Sequence, residues 1–424
     1  MTAHRQGAVG PRPRMTPLQR RLLPLHLAVG LQGVMLWVPV EKLFMSEIGF
    51  DPAAVGVMAA AYAVVVPIFE VPSGVLADRW SRRGVLVVAS SALALCALVG
   101  GLSRDVSTYV LSATILGVFF AMHSGTLDAV VYDTVFEETG GSGVFEQRLG
   151  QVRLVESCAL VCGSLLGGWL ASLTSTRLTY FLTIPFALLS IPAYLRFREP
   201  RLHRAGDRTS VRRHLALVYT TLTTRAHLLE ILTLTVLTSL ILQLILEFGP
   251  LWLVDLGAPA LVYGPYWAGL MATLGLGGLL VGRLSLDRPT TVGVVVTLMI
   301  LASLALTRGT NLAVVVSAQV VLAALIVVAS IHVTRRMHDA VPSTIRSGVA
   351  SGAGSISWIA FLPIALVFGL VSHEYGVHTA GWFFLALTVL TSVFLARLTL
   401  RRPRPSAAGR APMDHVAAIK VDAL

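Results

Sequence analysis

The sequence predicts an all-α integral membrane protein of twelve transmembrane helices, arranged as two pseudo-symmetric six-helix halves. Three observations carry this. Hydrophobic residues make up 55% of the 424-residue chain and charged residues only 13%, against about 25% charged in a soluble domain; the mean hydropathy is +0.76. Twelve apolar runs approach or exceed the roughly 20 residues that a helix needs to cross a ~30 Å hydrocarbon core. All but four of the 33 Lys and Arg residues fall in alternate segments between those runs, which is the signature of cytoplasmic loops.

The chain opens on a basic tail, 1–21, with Arg5, Arg12, Arg14, Arg20 and Arg21. A basic start before an apolar run resembles a secretory leader. The run over 22–45 is too long for a leader core and has no small-residue cleavage site, so it is expected to stay as the first span. Runs at 54–77, 84–103, 106–130, 151–172 and 178–196 complete an N-terminal half over 22–196. A basic linker, 197–227, follows; its stretch 211–222 has weak helical patterning and is a candidate interfacial helix. The second half, 228–399, holds runs at 228–252, 260–284, 290–307, 310–334, 347–371 and 379–398, and a Pro- and Ala-rich tail fills 400–424.

With the N-terminus inside, only Lys42, Arg104, Arg177 and Arg308 stand outside. Both termini are therefore expected in the cytoplasm and the protein in the cytoplasmic membrane. The net charge of +11 does not point to nucleic acid, because the basic residues are dispersed among membrane loops. Cys96, Cys158 and Cys162 lie inside apolar runs with no metal-ligand spacing and read as small core packers. No cofactor and no metal site are expected. There is no phosphate-binding glycine loop of the ATPase type, so the reading is a non-enzyme driven by an ion gradient. A monomer in the bilayer is expected.

An internal repeat supports two halves. An offset of 208 residues places Gly49 on Gly257, Gly56 on Gly264 and Gly74 on Gly282, with Glu47 opposite Asp255. Asp287-Arg288 falls one position from the copy of Asp78-Arg79, a second charged loop resembling a degraded first.

Several polar residues inside or beside the runs are candidates for chemistry, since ionisable groups at membrane depth are expensive and mark pathways. Glu41, Glu70, His123 and Glu247 are candidate substrate or proton sites, with Glu41 and Glu247 at similar depth in equivalent spans. Glu41 also has a local partner in Lys42, and a lone histidine such as His123 is more often a packing residue. Ser124, Asp128 and Tyr132 share one face of the fourth run, and Arg153 and Glu156 are spaced to pair. Trp37, Tyr62, Trp252, Tyr263, Tyr266 and Trp267 are candidates for a vestibule or for interfacial anchoring. In the fifth run, Gly163, Gly167 and Gly168 permit close helix approach.

Between the second and third runs stands Gly74-Val75-Leu76-Ala77-Asp78-Arg79-Trp80-Ser81-Arg82-Arg83. This turn resembles the signature loop of the major facilitator superfamily, roughly G-x-L-A-D-R-x-G-R-[RK], with Ser81 where the family usually has glycine. Glu70 through Arg79, Ser124 through Ala129, and Asp339 through Arg346 extend the similarity over nearly the whole chain. The resemblance implies a twelve-helix transporter whose halves rock around a central cavity. It implies that Gly74, Asp78, Arg79, Arg82 and Arg83 belong to a gating cluster. In the family the cluster includes a carboxylate of the fourth span, here Asp128 or Asp133, and an arginine opening the eleventh, here Arg346.

Gly163-Ser164-Leu165-Leu166-Gly167-Gly168 is similar to the antiporter motif G-P-x-x-G-G, with Ser164 in place of proline. From the likeness to drug-efflux members, the expected function is proton-coupled export of small hydrophobic compounds such as drugs or secondary metabolites. Its expected partners are a small-molecule substrate, the proton gradient and the lipid bilayer. A nutrient importer and a transport-dead sensor are the alternatives.

Overall fold

The computed structural model describes residues 16–141, 144–200, 226–284, 286–340 and 346–400; positions 71, 74–75, 78–79, 124, 146, 226–227, 276–283, 338–339, 346–348 and 350–351 are described by backbone alone, and Gly74, Asp78, Arg79, Ser124 and Arg346 are among them. The side-chain roles expected of those five therefore lie outside the described residues, as do the 211–222 stretch and both chain ends.

Every described element is helical. Helix α1 runs Pro17–Gly33, started by a capping box in which the Thr16 side chain and Gln19 satisfy each other's backbone N–H groups. It takes in Arg20 and Arg21, which the sequence reading left in the tail. The first span is broken rather than continuous. After Gly33 the backbone leaves the helix, makes a single 3₁₀ turn at Val38–Val40, and resumes as α2, Glu41–Glu47. Irregular backbone at membrane depth needs protein partners; here the Leu36 N–H donates to the Thr183 hydroxyl at 3.1 Å.

The remaining N-terminal helices are α3 (Pro52–Arg79), α4 (Arg82–Leu102), α5 (Val106–Thr139), α6 (Phe145–Leu173) and α7 (Thr176–Arg196). Asp51, Ser81, Asp105 and Ser175 cap α3, α4, α5 and α7 through their side chains. The C-terminal helices are α8 (Ala226–Asp255), α9 (Ala260–Arg283), α10 (Pro289–Arg308), α11 (Leu312–Ala340), α12 (Arg346–Tyr375) and α13 (Val377–Leu400). Eleven stretches of the described residues are long and apolar enough to cross a membrane. The twelfth predicted span is α9, whose last turns are described by backbone alone. The order matches the predicted runs, and the largest extension is α5, which continues to Thr139.

The start of α1 and the C-terminal ends of α3, α5 and α7 lie together at one end of the bundle, where Arg21 bonds Glu137, Glu138 and the Arg198 carbonyl and Ser81 bonds Glu199; this end is here the tail face, and the opposite end the far face. At the far face the 208-residue offset survives in backbone detail. Gly49 and Gly257 both adopt positive φ, 93° and 64°, a conformation glycine enters without a Cβ penalty. Phe50 N–H bonds Met45 O and Ala258 N–H bonds Leu253 O, the same closing bond in each half.

The halves meet along two helix pairs, α3 with α12 and α6 with α9. Small residues make this possible. A Cβ on Gly56 would lie 2.7 Å from Ala365 O, and one on Gly168 would lie 2.6 Å from Gly264 N. Gly168 thus meets α9, the eighth span. Gly163 and Gly167 instead face the broken part of the first span, against the backbones of Met35 and Leu36. Cys96 is buried, but Cys158 and Cys162 are exposed, so core packing holds only for the first; both others sit on the outward side of α6.

Candidate functional site

Between the halves lies a cavity of about 390 Å³, walled by α1, α2, α3, α5 and α6 from one half and α8, α9 and α12 from the other. Its walls are largely apolar and aromatic. Tyr62 and Trp358 meet edge to face across the halves with ring centroids 5.4 Å apart, and Phe119, Phe120 and Trp267 add further ring surface. The broken first span contributes Met35, Trp37 and Val38, so the unwound backbone serves to line the cavity.

Toward the far face the cavity ends on charges. The Lys42 ammonium is buried, its side chain 1% exposed. It donates to Glu41 Oε2 at 3.1 Å and to Glu247 Oε1 at 2.5 Å. Glu41 Oε1 accepts from the Tyr109 hydroxyl at 2.9 Å, and Tyr109 is 2.7 Å from the Tyr180 hydroxyl. Both glutamates line the cavity, as their similar depth suggests. Two carboxylates, one from each half, thus share one ammonium. Lys42 carried no role beyond a local pair in the sequence reading; the separation of 205 residues to Glu247 hides the second bond.

Toward the tail face, Arg153 bonds Glu156 at 2.9 Å, as the spacing predicts, and also Asp128 at 2.7 Å. Arg153 and Asp128 are 41% and 46% exposed, so this pair adds little to stability. His123 lines the cavity, buried and stacked on Phe119 at 5.2 Å, with Nε2 bonded to no described residue. Glu70 does not line the cavity. It lies eight residues along α3 from Tyr62, rotated about 80° from it by helix geometry. Of the aromatic candidates, Trp37, Tyr62 and Trp267 line the cavity. Trp252 and Tyr266 are core residues whose polar atoms bond Leu306 O and Gln319, and Tyr263 is fully buried.

In the signature loop, Arg82 ion-pairs Asp133, both nearly buried, and also donates to Ala129 O at 3.2 Å. The sequence left Asp128 and Asp133 open as the fourth-span carboxylate. Five residues separate them, which puts them about 140° apart on a helix; the Asp133 face meets α4 and the Asp128 face meets α6. The loop is further pinned by Glu199, which accepts from the Ser81 hydroxyl at 2.7 Å and from the Arg82 backbone N–H at 2.6 Å. Arg83 reaches the Leu195 carbonyl at 3.3 Å.

The equivalent loop of the second half inverts the charges. There Asp287 accepts from Arg335 at 2.8 Å and from Arg336 at 2.7 Å, and the Arg335 hydrogen bond holds its carboxyl below the usual range. The loop acid thus meets arginines of α11, where in the first half the arginine that opens α4 meets an acid of α5.

Asp133→Ala is expected to destabilise the N-terminal half by about 3–5 kcal/mol, because it removes a carboxylate paired with a buried guanidinium. The measurement is thermal unfolding in detergent. Arg82→Met with Asp133→Leu is expected to recover most of the loss.

Comparison with known proteins agrees with this architecture. A family model described as Major Facilitator Superfamily matches residues 22–361. "Multidrug resistance protein 1" of Bacillus subtilis (strain 168) is 26% identical over 204 residues, 47% of this chain and 51% of that protein. The chain therefore spans about half the length of that relative. The crystal structure of nucleoside transporter NupG aligns with a TM-score of 0.72 at 12% identity, covering 91% of this chain and 100% of that one. That of a D-xylose-proton symporter aligns at 0.67 and 13% identity, covering 88% and 97%. At these identities the two structures show the fold. With the family model spanning most of the chain and the twelve-helix, two-half architecture in place, this protein belongs to the Major Facilitator Superfamily.

Proposed function

We propose that the protein is a proton-coupled exporter of small hydrophobic organic molecules, working across a cytoplasmic membrane with its tail face inside. The observation that carries this is the cavity itself: aromatic and aliphatic walls drawn from both halves, closed at one end by Glu41, Lys42 and Glu247. Apolar walls favour an apolar solute through burial of its surface. The carboxylates at that end supply a proton site. The printed name of the Bacillus relative points the same way. The excess of basic residues in the tail-face segments supports a cytoplasmic tail face.

The solved neighbours include a nucleoside transporter and a sugar symporter, which keep an importer as the second reading. Sugars and nucleosides need hydrogen-bonding groups on the wall, and Trp37, His123, Gln243 and Trp267 each bring to it a polar atom bonded to no described residue, which is the observation that favours this second reading. The test is purified protein in liposomes with ethidium, a planar aromatic cation, as probe and a pH difference imposed across the bilayer. Ethidium is expected to accumulate on the acidic side. Flux indifferent to the gradient sinks the antiport reading, and accumulation on the alkaline side favours the importer.

A further inference from the structure

A second, smaller cavity of about 130 Å³ sits between the halves on the far-face side of the charged knot. Asp51, Asp255, Ser372 and Lys42 are among the residues lining it, and the buried Ser372 hydroxyl bonds no described residue. Lys42 therefore borders the far-face cavity while its ammonium is bonded to two carboxylates that line the central one. It also lies on the seam of the two halves. Glu41 and Lys42 belong to α2, whereas Glu247 belongs to α8. Any motion that parts the halves at the far face separates Lys42 from Glu247 and leaves Glu41 with it.

We propose that Lys42 is a resident cation that takes the proton's place on Glu247 whenever the far face is closed. The proposal rests on the proton-coupled reading and adds how the proton is released. When the far face opens, the Glu247 carboxylate loses the ammonium it is paired with at low dielectric and takes a proton from far-face water, becoming a neutral acid. When the face closes, the ammonium returns to Glu247. Its O–H bond breaks, the proton passes to water in the central cavity, and a carboxylate–ammonium pair remains.

Lys42 keeps all three of its protons throughout, because Glu41 travels with it. That is a physical reason for two carboxylates around one lysine. The other groups facing this knot are Tyr109 on α5 and Tyr180 on α7, which hydrogen-bond in line with Glu41, and Tyr62 on α3, which feels both glutamates. The carboxylates Asp51 and Asp255 lie beyond it, each beside a histidine, His373 and His378. Net movement is one proton from the far side to the tail side per cycle.

Lys42→Met tests this in the full-length protein in liposomes with ethidium. Wild type is expected to sustain about a tenfold probe ratio per unit of imposed pH difference, the ratio that one coupled proton supports. In Lys42→Met that ratio is expected to fall to nearly one, while probe exchange without a gradient continues. Infrared spectra of the variant at neutral pH should gain a protonated-carboxyl band that is absent from wild type and from the double variant Lys42→Met with Glu247→Gln. Lys42→Arg should restore the ratio and remove the band, which a purely structural role for Lys42 does not require. Gradient-driven accumulation persisting in Lys42→Met, or the absence of the new band, overturns the proposal. If Lys42→Met does not fold, Lys42→Arg decides: a charged replacement that folds but fails to drive accumulation overturns it equally. Wild-type flux indifferent to pH overturns the antiport reading instead, so the two failures are separable.

Discussion

Glu247→Gln is expected to abolish accumulation of ethidium against a pH gradient, and Glu70→Gln is expected to leave it intact. The two residues start level in the sequence, each a lone acid within an apolar run. The structure separates them. Glu247 lines the central cavity, and its carboxylate bonds the buried Lys42 at 2.5 Å across the two halves. Glu70 is half-buried on α3 away from the cavity. Glutamine keeps the shape of glutamate but cannot carry a proton between the two sides.

A pH difference of about one unit supplies about 1.4 kcal/mol per proton, enough for roughly a tenfold solute ratio at one-for-one exchange. Glu247→Gln should bring that ratio to about one. Lys42 keeps Glu41 as a partner in this variant, so the protein should still be recovered folded. The measurement is the steady-state probe ratio in liposomes as the gradient is varied. A Glu247→Gln ratio that still tracks the gradient moves the proton site elsewhere, with Glu41 the nearest remaining carboxylate on the cavity wall.

The span count was legible in the sequence because crossing a bilayer imposes a length and an apolar composition on each helix separately. The far-face turns were legible for a similar local reason: Gly49 and Gly257 hold left-handed backbone that other residues enter at a cost. What was not legible depends on which helix faces which. The break at 34–40 is as apolar as the helix around it, so hydropathy passes over it; what holds it includes the Thr183 hydroxyl from α7, which accepts from the Leu36 N–H. Lys42 beside Glu41 reads as an interfacial pair until Glu247 arrives from the other half. Asp128 and Asp133 differ only in helical phase, so choosing the partner of Arg82 needs the orientation of α5 against α4. Cys158 and Cys162 looked like core because a membrane helix is apolar on its lipid side too. Hydropathy cannot tell those faces apart.

The second large effect concerns the contacts that hold the far face shut. Gly168→Val should hold the halves apart there. Gly168 faces Gly264 so closely that a Cβ would lie 2.6 Å from Gly264 N and 2.8 Å from its Cα. Both obstacles are backbone, so no side chain can turn aside to make room. On the opposite side of the cavity Gly369 meets Pro52 O at 2.8 Å and Gly56 Cα at 2.9 Å in the same sense.

Overpacking of this kind costs about 1–3 kcal/mol. Here the cost falls on the far-face-closed state alone, because parting the halves relieves it. An energy difference of that size shifts a two-state equilibrium roughly 5- to 150-fold. Ser372 reports the shift. It is buried in the closed state, 3% exposed, on the wall of the far-face cavity. In a background with Cys96, Cys158 and Cys162 replaced by serine, Ser372→Cys should react slowly with a membrane-impermeant maleimide added from the far side. Adding Gly168→Val should speed that reaction by about the same 5- to 150-fold, and Gly369→Val should do likewise from the other seam. Transport should fall in both, since a carrier held open on one side cannot complete its cycle. Labelling left slow while transport is lost means that the valine disrupted helix packing without opening the far face.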